Sequence, residues 1–473
     1  MQQVPYQHWL VYCFWRFMSV RQGFPRRTKF IALLMSLLIL VVVASVILLP
    51  HIVAPTVVSV TTPPDQTAMF GDDAQHTHTN PTERILTPRT VSRLTSAWNS
   101  FPTGGSLFSS AVLANDLVYI NSLDGRLYAY AAAGCGRSSC APLWSSTPTG
   151  SLIYSSPAVA QGTIYVSAYN RKLYAFNASG CGQSSCMPLW SSTVMQGLTL
   201  SSPTVNGGTV FVGSSGGFLY AFKADGCGKS ICQPSWTSTP MRAACGQGDC
   251  LPLPLMAGTN SGFSSSPAVA NGKVYIGSFD RRLYAFNSAG CGKSTCSPLW
   301  NSTPTQYVIT SSPAVAYGIV FVGSLDGQLY AFTADGCSTP PCAPLWASAP
   351  TGGEIESSPA VANNVVYVGS WDHKLYAFDI VGCANLDCQP LWSSTPTASI
   401  IEASPTVAGG VVYIGSVDGS LYAFNAAGCN TSTCVPLWIS PQVGGAIESS
   451  ATVANGVVYV GSLDHKLYAF HLP

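Results

Sequence analysis

Three glutamates stand one repeat apart, at Glu356, Glu402 and Glu448, each immediately before a Ser-Ser or Ala-Ser pair, with Glu354 close to the first. Carboxylates gathered without a counter-charge either raise one another's pKa or hold a cation between them. A set of oxygen donors suits calcium, magnesium or an ammonium group rather than zinc. The same position in the other repeats holds Phe108, Tyr154, Leu200, Ser264 and Thr310. One repeat position thus runs from apolar through hydroxylic to acidic, and Phe108 and Tyr154 would offer an apolar wall to an amine or sugar ligand. Blade duplication alone also accounts for three like residues. Trp371 reads as packing between repeats or as a surface on which a sugar could stack.

Cysteine is the second reactive type. Of 17 cysteines, Cys13 stands alone and the rest form eight C-x-x-x-x-C pairs. Seven recur with the repeat: Cys135/Cys140, Cys181/Cys186, Cys227/Cys232, Cys291/Cys296, Cys337/Cys342, Cys383/Cys388 and Cys429/Cys434. The eighth, Cys245/Cys250, lies in an insertion. Each pair offers only two thiolates and no histidine recurs beside it, so eight disulfides at hairpin ends are expected rather than zinc sites. A bridge closing so short a loop contributes about 2 kcal/mol. His76-Thr77-His78 has the spacing of a small chelate, but it lies in an entry segment. Asp124, Asp280, Asp326, Asp372, Asp418 and Asp464 share one turn position, where Asx hydrogen bonds explain them. His373 and His465 sit in two of those turns and read as solvated surface.

These residues are carried by a repeat, seen plainly from Ser265 to Trp300. Asn271-Gly272 is a type I′ hairpin signal between two short strands; a turn at Asp280 leads to Leu283–Asn287, and the cysteine loop leads to Trp300. The unit is a four-stranded antiparallel meander, strands A to D. Its first cysteines step by 46 residues except between Cys227 and Cys291, where the step is 64 and the insertion, roughly 241–262, lies. L-Y-A-F or L-Y-A-Y begins at Leu127, Leu173, Leu219, Leu283, Leu329, Leu375, Leu421 and Leu467. The strand-D tryptophans are Trp98, Trp144, Trp190, Trp236, Trp300, Trp346, Trp392 and Trp438. The tryptophan series starts and ends one repeat early, so Trp98 must complete the last repeat and close a ring. An all-β, eight-bladed propeller is expected over 69–473. In such a meander the cysteine loops and Asn-Gly turns are expected on one face of the ring. The Asp turns, the insertion and the glutamates are expected on the other.

The D-G-x-L-Y-A-F-x-A-x-G…W pattern of Asp418–Trp438 resembles the repeat of PQQ-like, quinoprotein-type propellers, and the stretch from Phe70 to Trp98 is similar to their lead-in. That family includes PQQ dehydrogenases and non-catalytic scaffolds resembling the outer membrane protein assembly factor BamB. For a dehydrogenase the resemblance implies a quinone on a tryptophan floor, an adjacent-cysteine disulfide, a calcium ligated by Glu, Asn and Asp, and a catalytic Asp. This sequence has no Cys-Cys dipeptide, and Trp371 is its only tryptophan outside strand D and the N-terminal tail. The residues therefore favour a binding or protein-interaction scaffold over an oxidoreductase. No catalytic residue is assigned, PQQ is not expected, and calcium is the one ion the glutamates suggest.

The N-terminus points to a membrane. Phe30–Leu49 is an uncharged, mostly apolar run of 20 residues, long enough to span a bilayer. Arg16, Arg21, Arg26, Arg27 and Lys29 all precede it, and residues 1–50 hold no acid. The expected order is a cytoplasmic tail over 1–29, a signal-anchor helix over 30–50, a linker over 51–68 and an extracytoplasmic propeller. Disulfides fit that compartment. A cleaved signal peptide is the rival reading, with a shorter apolar core. Partners are expected among membrane lipid, reached through the helix, and an extracytoplasmic protein or small ligand. No basic patch with interleaved aromatics marks a nucleic-acid surface.

Overall fold

Short strands separated by turns of strongly conformation-selective residues build the whole structure. The computed structural model describes residues 68–241, 264–382 and 387–473, all within one compact unit, Thr61–Pro473. The expected tail, membrane helix, most of the linker, the insertion, Cys245, Cys250 and Cys383 lie outside the described residues. Among the described residues no helix is long and apolar enough to cross a membrane.

Eight sheets carry the meander. In the fourth along the chain, strand A is Ala268–Ala270, strand B Lys273–Gly277, strand C Leu283–Asn287 and strand D Trp300–Asn301. Neighbours pair antiparallel, with Tyr275 opposite Ala268 and Ala285. Asn271 and Gly272 take φ of 49° and 73°, the left-handed values that a type I′ turn demands. Both sheet faces are covered by neighbouring blades, so the middles of strands B and C are buried on either side. Tyr275 reaches across to the next blade and donates its hydroxyl to Ala334 O at 2.9 Å. The turn aspartates do what their position implies: Asp280 accepts from the Arg282 backbone N–H and the Tyr284 hydroxyl, and five other blades repeat the pattern.

Ring closure follows the tryptophan phase. Thr95–Ser100 pairs antiparallel with Leu467–His471, placing Trp98 opposite Ala469. In every blade the first Leu of the L-Y-A-F motif donates its N–H to a serine two residues after the strand-D tryptophan. In the closing blade that bond is Leu467 N to Ser100 Oγ, 3.0 Å.

The cysteine loops correct one expectation and meet another. They are not simple hairpin ends gathered on one face of the ring. Each leaves its own blade and lies along the outer strand of the preceding one. Ser185–Cys186 pairs in parallel with Ser145–Ser146, Ile231–Cys232 with Ser191–Ser192, and Ser139–Cys140 with Asn99–Ser100 across the closure. The loops therefore cover the outer wall, because the strand-D edges there would otherwise be open to pairing. The bridges themselves form as expected, each within its own loop. Six are Cys135–Cys140, Cys181–Cys186, Cys227–Cys232, Cys291–Cys296, Cys337–Cys342 and Cys429–Cys434. Their Cα atoms stand 5.5–5.6 Å apart, within the ordinary range for a disulfide. Cys388 is also disulfide-bonded. The first cysteine of a loop is exposed and the second buried: Cys135, Cys181, Cys227, Cys291, Cys337 and Cys429 face solvent, while Cys140, Cys186, Cys232, Cys296, Cys342 and Cys434 lie against the wall. A glycine just before each first cysteine sits on the preceding blade's tryptophan: a Cβ on Gly226 would come within 2.8 Å of the Trp190 ring, and its φ is +81°.

The entry segment forms a plug in the central channel. Ala68 bridges antiparallel to Val159 in blade 2, and Thr79–Asn80 pairs in parallel with Val407–Ala408 in blade 7. Between them, carbonyls of Ala74, Gln75 and Thr77 accept the N–H groups of Val269, Val315 and Val361. His76 Nε2 meets Thr204 Oγ1 at 3.0 Å, and Asn80 Nδ2 donates to Val453 O at 2.8 Å. The two strand directions mean that the chain enters from the A–B turn end, crosses seven inner strands and leaves by the same end.

Candidate functional site: the channel mouth opposite the plug

A Ser-Ser pair, Ala403-Ser404 in blade 7, leads into each inner strand, and its second serine joins neighbouring blades. At seven of the eight blade junctions its backbone N–H donates to the hydroxyl of the same serine one blade on, at 2.9 Å: Ser110 to Ser156, Ser156 to Ser202, Ser202 to Ser266, Ser266 to Ser312, Ser312 to Ser358, Ser358 to Ser404, and Ser450 to Ser110 across the closure. The glutamate position lies two residues before this belt, at the end of the channel away from the plug.

There the structure brings part of the expected set together. Glu402 and Glu448 share a hydrogen bond between carboxyl groups. Burial, the charge of Glu402 and that bond push Glu448 up to about 8, so the pair holds one proton between its two carboxyls. Burial raises Glu402 while the bond from Glu448 lowers it. Burial, then the charges of Glu402 and Glu354, push Glu356 up to about 7, although its side chain remains wetted by the channel. Burial also raises Glu354, whose carbonyl accepts the Trp371 N–H at 3.0 Å. Among the described residues no basic group contributes to the shifts at Glu356, Glu402 or Glu448.

On the other arc, Phe108 and Tyr154 pack with ring centroids 5.4 Å apart, and Tyr154 lies 6.0 Å from Tyr169. Tyr169 does not stand out in the sequence. Its signal is there, because it holds the turn position that Trp371 occupies in blade 6. Between the two arcs the hydroxyls of Ser264 and Thr310 are buried without a partner among the described residues. Trp371 is half-buried with its indole N–H unpartnered, so it combines packing with an unspent donor.

The His76-Thr77-His78 segment belongs to the plug and not to this mouth. Both imidazoles are fully buried against Phe70, and burial pushes them down to about 3, so they are neutral. Among the described residues no group of three or more His, Cys, Asp or Glu side chains is disposed to hold a metal ion. The three glutamates therefore form a proton-sharing pair with a coupled neighbour, and not a ready-made cage.

The sequence profile of the outer membrane protein assembly factor BamB family matches residues 84–290 and 233–472. The chain belongs to this family of PQQ-like propellers. Among solved structures, BamB from Moraxella catarrhalis aligns with a TM-score of 0.57 at 17% identity, over 80% of this chain and 97% of that one. The quinohemoprotein alcohol dehydrogenase of Comamonas testosteroni aligns with a TM-score of 0.63 at 13% identity, over 86% and 80%. A computationally designed protein, Ika8, gives 0.60 at 14% identity, over 80% and 99%. These likenesses establish the fold. A search of curated proteins gives no match.

The dehydrogenase neighbours raise the question of a quinone. PQQ carries carboxylates of its own, and here it would face Glu356, Glu402 and Glu448, whose shifts record burial and other acids but no cation. The residues at this mouth do not fit that cofactor.

Proposed function

We propose that the protein is a non-enzymatic, membrane-anchored binding propeller whose extracytoplasmic working face is the glutamate end of the channel. Its ligand there is a cationic organic group, an amine or the ammonium of a lysine-like side chain. The observation that carries this reading is a carboxyl pair sharing a proton, with a third carboxyl pushed up beside it and no basic neighbour among the described residues. Such a site is short of one positive charge. An ammonium supplies the charge and three donors, and the Phe108–Tyr154–Tyr169 wall covers the carbon skeleton it rides on. Calcium is second, since the carboxyls are not arranged as a cage.

Thermal unfolding of the full chain in detergent, titrated with spermidine, cadaverine, calcium and PQQ, tests this. The expected result is a rise in Tm with the amines that disappears in Glu356→Gln/Glu402→Gln/Glu448→Gln. A rise with calcium alone would move the site to a metal. PQQ binding with dye-linked alcohol oxidation would replace the scaffold reading by an oxidoreductase. No shift with any probe would make the arc a product of blade duplication.

A further inference from the structure

The plugged end of the channel carries a second cleft, of about 550 Å³, between the plug and the inner strands of blades 5, 6 and 7. That volume is in the range of small-molecule sites. At its lip stands Tyr317, 70% exposed and held at φ 53°. The same turn position holds Asn271, Asn363 and Asn455 in other blades, all at positive φ, which asparagine accepts. A bulky aromatic there is an outlier, and strain of this kind concentrates at binding sites. The ring buries little in return, so packing does not explain it.

The rest of the lining mixes small apolar residues of the inner strands, among them Val315, Val361 and Val407, with planar polar groups. Asp73 is half-buried and fixed by two bonds from Thr77, N–H to Oδ1 at 3.0 Å and hydroxyl to Oδ2 at 2.6 Å. Asn80 is fixed through its bond to Val453 O, and Arg84 gives Nη1 to Glu83 O. Asn363 adds a further amide to the polar side of the cleft. Rigid carboxylate, amide and guanidinium groups pair with vicinal hydroxyls, while an exposed aromatic face packs on the C–H face of a pyranose ring. Among the described residues Arg84 is the single base lining the cleft, too little for a phosphate-rich ligand.

We infer that this cleft is a saccharide site, sized for one or two sugar units, with Tyr317 as the stacking platform and Asp73, Asn80, Asn363 and Arg84 as hydroxyl partners. It is on the opposite end from the glutamates and independent of them.

Saturation-transfer NMR and calorimetry on the full chain in detergent test it, with glucose, galactose, N-acetylglucosamine, maltose and chitobiose as probes. At least one should bind in the millimolar range or tighter. Tyr317→Asn should weaken that binding about tenfold, the loss of one aromatic contact, and should raise Tm without sugar, because asparagine relieves the strain. A purely structural tyrosine would instead lower Tm on replacement. Tyr317→Phe should retain binding, Arg84→Ala should weaken it, and the triple glutamate variant should leave it unchanged. No binding by any probe, full affinity in Tyr317→Asn, or loss in the glutamate variant would each overturn the inference.

Discussion

Two rings of side chains lie two residues apart on the inner strands and behave in opposite ways. The ring containing Ser110, Ser156, Ser202, Ser266, Ser312, Ser358, Ser404 and Ser450 is the same in every blade, and seven of its hydroxyls satisfy a buried N–H of the neighbouring blade. The ring containing Phe108, Tyr154, Leu200, Ser264, Thr310, Glu356, Glu402 and Glu448 differs around the circle, and its polar members either lack protein partners or share protons. A position that must satisfy the next blade cannot vary; a position that faces only the channel can be graded for a ligand. The difference separates what builds the propeller from what the propeller offers.

The strongest way to break the first ring is to open it. Deleting Arg93–Ser100 removes the outer strand of the eighth blade together with Trp98, on which Gly134 sits. The strand Leu467–His471 would then present an unpaired edge, which invites association with other chains. The variant should lose its single cooperative unfolding transition and elute as aggregates in size-exclusion chromatography. A monomer with parental Tm would mean that closure lies elsewhere.

A smaller cut compares the rings directly. Ser312→Ala removes the acceptor of the buried Ser266 N–H and should cost about 1–3 kcal/mol in urea unfolding. Thr310→Val, two residues away, removes a buried hydroxyl that has no protein partner. It should cost nothing, or stabilise by up to about 1 kcal/mol. Equal costs at the two positions would erase the distinction between frame and site.

Much of the frame was legible because repetition writes it eight times. The offset between Trp98 and Leu127 implied the closure. The C-x-x-x-x-C spacing implied bridges within single loops, as between Cys291 and Cys296. The plug was not legible. Its bonds join His76 to Thr204 and Asn80 to Val453, pairings that follow no period, and its residues occur once. The outer latches were hidden for another reason. Ser139–Cys140 is only two residues long, too short for alternation to register, and its partner belongs to the preceding blade. At the channel mouth the sequence indicated three consecutive acids, but not that Glu402 and Glu448 would share a proton. That depends on side-chain approach and burial, which periodicity does not encode.

The smallest expected effect belongs to the graded ring and concerns pH. Burial and the neighbouring carboxyls push Glu356 up to about 7 and the Glu448 end of its pair up to about 8, above the 4.5 of an unperturbed glutamate. Between those values and 4.5 the folded chain holds more protons than the unfolded one, so stability falls as pH rises through the window. Below about pH 4.5 both states are protonated and these groups cost nothing; above about pH 8 the full cost of ionising them is present. Thermal unfolding between about pH 5 and 8.5 should therefore show Tm declining with pH, by roughly 2 °C given the size of the chain and the wetted channel. Glu356→Gln/Glu402→Gln/Glu448→Gln should flatten that decline and melt higher than the parent at the alkaline end. Saturating amine should flatten it in the parent by the opposite route, holding the carboxyls ionised against a bound cation. If the triple variant keeps the parental slope, the carboxyls at this mouth are ordinary solvated acids and the second ring is as inert as the first.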